Sequence, residues 1–110
     1  MARRRQSTSI VAAESPSREQ VLSARPFVPD HVVYRDFVKE TVVLNLETGR
    51  YHGLNPSGGK MLQTLESAET VAAAAAELSS LYGRPPRDLE QDLYDFCVDL
   101  RARGLIELEL

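Results

Sequence analysis

The pattern of apolar and polar residues along the chain becomes regular after Pro29. Residues 31–35 and 41–46 are runs rich in β-branched and aromatic side chains, which are typical of strands. Gly49 follows in a Glu-Thr-Gly turn, where it can adopt the positive φ of a three-residue hairpin loop. Residues 50–54 then return as a third strand, so the pattern predicts a three-stranded antiparallel sheet.

Three helices are predicted after these strands. Asn55 is a favourable N-cap and Pro56 fits the first helical position, so the first helix starts there and ends near residue 66. The second helix runs from Thr70 to Gly83, a glycine that can end it. The third helix has apolar residues at i, i+4, i+7 and i+11: Leu89, Leu93, Phe96 and Leu100. The expected fold class is α+β and winged-helix-like, with a three-stranded antiparallel sheet followed by three helices.

The N-terminal segment differs from the rest of the chain in charge and pattern. Residues 1–29 hold five arginines and two glutamates, whereas residues 30–110 hold eight Lys/Arg and fourteen Asp/Glu. No sustained apolar period is present in the first segment, so burial there cannot offset the entropy of ordering. We therefore predict a flexible basic tail over residues 1–29 and a folded domain over residues 30–110. A short helix near residues 17–23 is the one candidate for regular structure in the tail.

Length and composition exclude several functional classes. A chain of 110 residues holds one ordinary domain, which makes an autonomous metabolic enzyme a poor expectation. Cys97 is the only cysteine and there are two histidines, so neither an intrachain disulfide nor a four-ligand zinc site can form. No nucleophile, phosphate loop or metal cluster is recognisable, and we expect no catalysis and no cofactor. The sequence shows neither a secretory signal nor a transmembrane run, so we expect a cytoplasmic protein without a membrane partner.

The winged-helix-like order of elements raises DNA binding as an alternative function. A recognition helix directs Arg, Lys, Asn or Gln towards bases and phosphates. The third helix instead carries four aspartates on one outer face: Asp88, Asp92, Asp95 and Asp99. The net charge of −3 also opposes a grip on phosphate, so we do not expect nucleic acid as a partner.

The third strand is the first candidate for a binding site. At the end of a meander it leaves a row of unpaired backbone groups, and its sequence Arg50-Tyr51-His52-Gly53-Leu54 has one charge and no proline to block pairing with another strand. The third helix has a second stripe, formed by Tyr94, Cys97, Val98 and Arg101. The pattern supports two interpretations equally: this stripe lines a groove for a guest peptide, or it only covers the sheet.

Two stretches of the sequence resemble the PqqD-like family. Residues 42–58, VVLNLETGRYHGLNPSG, are similar to its hairpin-to-helix signature, and residues 100–106, LRARGLI, are similar to its closing pattern after the third helix. The resemblance implies a precursor-peptide recognition element for ribosomally synthesised, post-translationally modified peptides. It also implies a three-strand, three-helix fold with no catalytic activity of its own.

The resemblance further implies where a peptide lies. The leader of the precursor adds as a strand to the third strand and packs against the third helix. By position, the residues expected to contact it are Arg50, Tyr51, His52, Gly53 and Leu54 on the strand, and Tyr94, Cys97, Val98 and Arg101 on the helix. The implied partners are the precursor peptide and a peptide-modifying enzyme such as a radical SAM enzyme, a leader peptidase or a cyclase.

The hairpin departs from one branch of the family. The member from pyrroloquinoline quinone synthesis lacks the turn formed here by residues 48–51, so the chain is closer to the stand-alone elements of lasso-peptide and other modified-peptide pathways. The basic tail lies outside the family pattern. Two other functions stay open at this point: a winged-helix DNA-binding regulator, and a subunit that scaffolds its enzyme without a peptide groove.

Overall fold

The computed structural model of the chain describes residues 16–110. This part of the chain forms four helices and five strands. In chain order they are α1 (Arg18–Ser23), β1 (Arg25–Phe27), β2 (Val32–Asp36), β3 (Thr41–Asn45), β4 (Arg50–Leu54), α2 (Pro56–Ser67), α3 (Val71–Tyr82), α4 (Pro86–Ala102) and β5 (Glu107–Glu109). The predicted α+β class, with three antiparallel strands followed by three helices, is confirmed by β2 to β4 and α2 to α4.

Strands β2, β3 and β4 form an antiparallel sheet with β3 in the middle. Asn45 at the end of β3 pairs with Val32 of β2 on one side and Arg50 of β4 on the other. Gly49, in the turn between β3 and β4, has φ +72°, and its N–H donates to the Asn45 carbonyl at 2.8 Å. The Asn45 side chain accepts a further bond from the N–H of Glu47 at 2.9 Å. The positive φ predicted for Gly49 is therefore confirmed.

Local signals also set the helix ends as the sequence predicted. The Asn55 side chain accepts from the N–H of Gly58 at 2.8 Å, which caps α2 ahead of Pro56. The Thr70 side chain caps α3, and α3 ends at Gly83, where φ is +66°. These caps satisfy backbone groups that have no partner within a helix.

The core lies between one face of the sheet and the helices. We call this the inner face of the sheet, and on β3 it carries Thr41, Val43 and Asn45, which are buried. Val42 and Leu44 are half-buried on the opposite, outer face. Most of the largest fully buried side chains come from the helices: Leu62, Leu65, Leu78, Leu89, Leu93 and Leu100.

Hydrogen bonds connect the sheet to α2. The Tyr34 hydroxyl donates to the carboxylate of Glu66 at 2.5 Å, and the Gln63 side-chain amide donates to Asp36. The hydroxyl of Thr41 also donates to Asp36, at 2.6 Å. Burial, followed by the bond to Glu66, raises the pKa of Tyr34, so its hydroxyl stays a donor at neutral pH. Sheet and helix are thus held by polar contacts as well as by the core.

The buried stripe of α4 differs from the predicted one at one position. The buried residues are Leu89, Leu93, Cys97 and Leu100. Phe96, predicted in this stripe, is half-buried at its margin. Successive helix residues are about 100° apart around the axis. Because Cys97 and not Phe96 is buried, the centre of the buried face is turned away from Phe96 relative to the prediction.

The predicted flexible tail over residues 1–29 is wrong for its second half. Residues 18–23 form α1, as the short helix candidate near 17–23 predicted, with Val21 fully buried and Ala24 1% exposed. β1 then pairs antiparallel with β5, and Arg25 contacts Glu109 at 2.7 Å. The apolar residues here are too few to show a period, and their burial comes from contact with α3 and α4. The predictions for residues 1–15 lie outside the described residues.

Gly59 in α2 is where we expect the fold to be most sensitive to a small change. A Cβ at this position would lie 2.1 Å from Oγ1 of Thr41, which is buried under the helix. Gly59→Ala should therefore lower the free energy of unfolding by about 1–3 kcal/mol, because a packed core resists an extra methyl group. Urea unfolding followed by circular dichroism measures this.

The neighbouring glycine provides the matched control. A Cβ at Gly58 would lie 3.3 Å or more from its neighbours, so Gly58→Ala adds a tight contact and gains about 1 kcal/mol of helix propensity. We expect its stability to stay close to that of the original chain. Equal stability of the Gly58→Ala and Gly59→Ala variants would contradict this packing.

Candidate functional site

The outer edge of β4 is open. Within residues 16–110, β4 pairs with β3 alone, so its second side has no strand partner. Such an edge presents unpaired N–H and C=O groups and accepts another strand unless it is blocked. β4 contains no proline, and its one charged residue, Arg50, is at the hairpin end.

The ladder shows which backbone groups face this free edge. The N–H of Phe37 donates to the Glu40 carbonyl and the N–H of Leu46 donates to the His31 carbonyl, both at 2.7 Å. The even-numbered residues of β3 therefore bond towards β2, and the odd-numbered residues bond towards β4. Because the odd-numbered residues of β3 pair with Arg50, His52 and Leu54, the N–H and C=O groups of these even-numbered residues of β4 point towards β3. The N–H and C=O groups of Tyr51 and Gly53 consequently point to the free edge.

The side chains of β4 alternate between the two faces of the sheet. His52 is half-buried and Leu54 is buried on the inner face. Tyr51 lies on the outer face with 71% of its surface exposed, next to Gly53. The five strand residues predicted for the site therefore lie together on one open edge, with Arg50 at its hairpin end.

The second half of α4 runs beside β4. At one end, the position of a Cβ on Gly58 would be 3.3 Å from Leu54 Cβ and 3.6 Å from the Phe96 ring. At the other end, a Cβ on Gly104 would be 3.6 Å from the side-chain amide of Asn45, the residue that pairs with β4 at the hairpin. The helix thus passes from near the last residue of β4 back towards its first, and we call the space between β4 and this part of α4 the groove.

The wall of α4 that faces this groove follows from the position of Phe96. Residues at i+3 and i+7 from Phe96 share its face, and these are Asp99 and Arg103. The two form an ion pair at 3.2 Å, with about half of each side chain exposed. The Phe96 side of α4 therefore carries an aromatic ring near Leu54 and, one to two turns further on, an exposed ion pair.

The four helix residues predicted from the sequence do not lie on this wall. Tyr94 and Val98 are each two positions from Phe96, which places them about 160° away around the helix. Cys97 is fully buried in the core. Arg101 is half-buried on the side of α4 where Glu90 faces α1. The structure brings the strand residues together, but it does not bring these side chains to them.

The sequence pattern did not place Phe96, Asp99 and Arg103 on the side of α4 nearest to β4, for a physical reason. Helical periodicity gives the angles between side chains, but it does not say which side of the core stripe faces the sheet. Phe96 was assigned to the core, and Asp99 to the solvated face. In the structure the Phe96 ring lies 3.6 Å from the Cβ position of Gly58, beside the end of β4.

Nothing in the described part of the chain resembles a catalytic or metal centre. Residues 16–110 contain no group of three or more His, Cys, Asp or Glu side chains that could hold a metal ion. On α4, Asp92 pairs with Arg84 at 3.1 Å and Asp88 with the same guanidinium at 4.0 Å, as expected for a solvated charged face. Among the same residues, no helix is long and apolar enough to cross a membrane.

The described residues form a small α+β domain whose three-stranded sheet has an unpaired edge at β4. The chain belongs to the family of coenzyme PQQ synthesis protein D (PqqD), whose family model matches residues 40–106. This match includes β4, the three helices that follow it and the closing segment after α4. No curated protein matches the sequence.

Three solved structures share this fold. TbiB1, in complex with the TbiA(beta) leader peptide, is 30% identical, and the similarity covers 74% of this chain and 94% of TbiB1 with a TM-score of 0.67. A lasso peptide synthetase B1 complexed with the leader peptide is 23% identical, covering 76% and 99% with a TM-score of 0.68. The PqqD truncation of Methylobacterium extorquens PqqCD, a stand-alone recognition element, is 23% identical, covering 81% and 98% with a TM-score of 0.64.

The reactivity of the Cys97 thiol tests whether this side chain is buried in the core or faces the groove. Burial raises the pKa of its thiol to about 12, and the thiolate is the reactive form. We expect the folded protein at pH 8 to react with Ellman's reagent at least about 100-fold more slowly than the protein in guanidinium chloride. Absorbance at the thionitrobenzoate band follows the reaction. Rapid labelling of the folded protein would mean that Cys97 opens to the groove.

Proposed function

We propose that this protein binds the leader region of a ribosomally made precursor peptide and delivers it to a modifying enzyme. The observation that carries the proposal is the unpaired edge of β4 beside the Phe96 side of α4. The leader adds to β4 as a fourth strand and forms main-chain hydrogen bonds with Tyr51 and Gly53.

Alternate side chains of the added strand meet different surroundings. Those on the inner side enter the groove between β4 and α4, where His52, Leu54 and Phe96 provide apolar and aromatic surface. Asp99 and Arg103 lie further along the same wall and favour polar leader side chains near the hairpin. Main-chain bonds thus supply affinity, and the groove supplies specificity.

The comparisons support leader-peptide binding. TbiB1, 30% identical over most of its length, is in complex with a leader peptide. The family match covers β4 and α4, the two elements that form the groove. The four aspartates of α4 disfavour the DNA-binding alternative, because their carboxylates repel a phosphate backbone.

The proposed role is that of a non-catalytic adaptor without a cofactor in the cytoplasm. Its second partner is the enzyme that modifies the peptide, of a class such as a radical SAM enzyme, a leader peptidase or a cyclase. A guest strand of this kind buries less surface than a standard interface, so a Kd between about 1 nM and 1 μM is expected, or about −12 to −8 kcal/mol.

Gly53→Pro is the most direct test. Proline removes the N–H that points to the free edge, while the bonds of β4 to β3 use its neighbours. We expect the affinity for a fluorescently labelled leader peptide, taken from the nearest small precursor reading frame, to fall by about 100-fold or more. Fluorescence anisotropy measures it, and circular dichroism verifies the fold.

Gly53→Ala is the matched control for that variant. Alanine keeps the N–H, and its Cβ would meet only the end of the flexible Glu40 side chain, at 3.0 Å. We expect leader affinity within about threefold of the original. Full binding by a folded Gly53→Pro variant would contradict strand addition at this edge.

A pair of helix variants tests which side of α4 faces the leader. Phe96→Ala should weaken leader binding by about tenfold or more, because it removes the aromatic end of the groove. Val98→Ala, on the opposite face and 43% exposed, should leave the affinity unchanged. Both are measured by anisotropy at a temperature where circular dichroism shows the variants folded. A larger loss with Val98→Ala would place the leader on the face predicted from the sequence.

A further inference from the structure

The outer face of the sheet is apolar and uncovered. The core residues of β3 lie on the inner face, while Val42 and Leu44 extend apolar surface onto the outer one. Beside them, Val33 is 47% exposed and Phe37 is 57% exposed. Tyr51 on β4 continues this surface to the free edge.

This arrangement differs from that of an ordinary solvated sheet. An antiparallel sheet with one wet face normally alternates apolar and polar residues, and an apolar run is typical of a strand covered on both faces. The run Val42-Val43-Leu44 has the apolar pattern of a strand that is covered on both faces. In residues 16–110, however, no element covers its outer face. Exposed apolar patches with a polar rim are characteristic of protein interfaces.

The face contains a shallow concavity of about 360 Å³. Its lining residues are Val33, Tyr34, Arg35, Phe37, Val42, Leu44 and Tyr51. The lining has one cation and no carboxylate, and within residues 16–110 Arg35 forms no salt bridge. A complementary occupant is an apolar segment that carries a carboxylate.

The charge of Arg35 distinguishes between two possible occupants of this concavity, a second copy of the chain and a different protein. A second copy of the chain, packed face to face, would bring two Arg35 guanidinium groups into an interface whose lining supplies no carboxylate. Burying charges without partners opposes association. A different protein with an acidic group next to apolar side chains has no such cost.

The face is also continuous with the proposed leader site. The backbone of Tyr51 points to the free edge and its side chain lies on the outer face, so an added strand would extend this face with its own outward side chains. A protein docked here would contact the domain and the bound peptide together. The open edge and the apolar face thus belong to one composite surface.

We propose that the enzyme that modifies the bound peptide docks on the outer face of the β2–β4 sheet, through an apolar segment with a carboxylate opposite Arg35. This inference rests on the proposed function. It places the leader at the free edge of β4, with its inward side chains in the groove, and the enzyme on the outer face, where it meets the outward side chains of the leader.

Two variants on β2, away from the leader edge, test the proposal. Val33→Asp places a charge in the apolar face, and Arg35→Glu reverses its cation. Lys39→Glu is the matched control, since it makes the same charge change at the exposed turn after β2, outside the concavity. The probes are the labelled leader and the purified modifying enzyme encoded beside this chain, titrated separately against the folded full-length protein.

We expect Val33→Asp and Arg35→Glu each to weaken enzyme binding by about tenfold or more, with leader affinity within about twofold. Lys39→Glu should change neither. Unchanged enzyme binding by both β2 variants would overturn the docking surface, as would an equal loss for Lys39→Glu. A loss of leader affinity instead would show that this face belongs to the leader site.

Two further measurements separate the remaining outcomes. Light scattering that showed a dimer of the original chain and a monomer of Val33→Asp would overturn the proposal in favour of a second copy. Absence of leader binding by the original chain would refute the proposed function by itself. Loss of enzyme binding in the β2 variants would still support the docking surface in that case.

Discussion

The close approach of the first turn of α2 to the sheet sets the positions of the groups around β4. Gly59 leaves space for Thr41, and Gly58 leaves space for the Phe96 ring next to Leu54. A side chain at Gly59 would push the helix away from the sheet. The position of α2 against the sheet therefore depends on one position that lacks a Cβ, whereas Gly58 lies at ordinary contact distance from the Phe96 ring.

The same contact explains why β4 keeps a free edge. The chain turns into α2 directly after Leu54, and α2 lies on the inner face instead of alongside the strand. Neither α2 nor α4 can complete the ladder, because a helix has no backbone groups free to pair with a strand. Among residues 16–110 the backbone groups on the outer edge of β4 are therefore left without a strand partner.

Much of this structure could be predicted from local chemistry. The turn at Gly49, the cap at Asn55 and the stop at Gly83 each follow from a residue and its immediate neighbours. The unpaired edge of β4 follows from the order of the strands in the same way. The side of α4 that lies nearest to β4 does not, because the orientation of α4 depends on contacts with Gly58 and α1 that are distant in sequence. Val21 belongs to the core for an equally non-local reason.

The ribbon of β1 and β5 has a consequence for the order of folding. Arg25 and Glu109, which it joins, are 84 positions apart in sequence. Closing so long a loop costs entropy that only a formed core can offset, so the ribbon is expected to assemble late. The segment before β2 then attaches to a domain that has already taken shape. The weak apolar pattern of this segment is consistent with that order. Residues that join last must fit a surface that has already formed, and they do not have to nucleate folding.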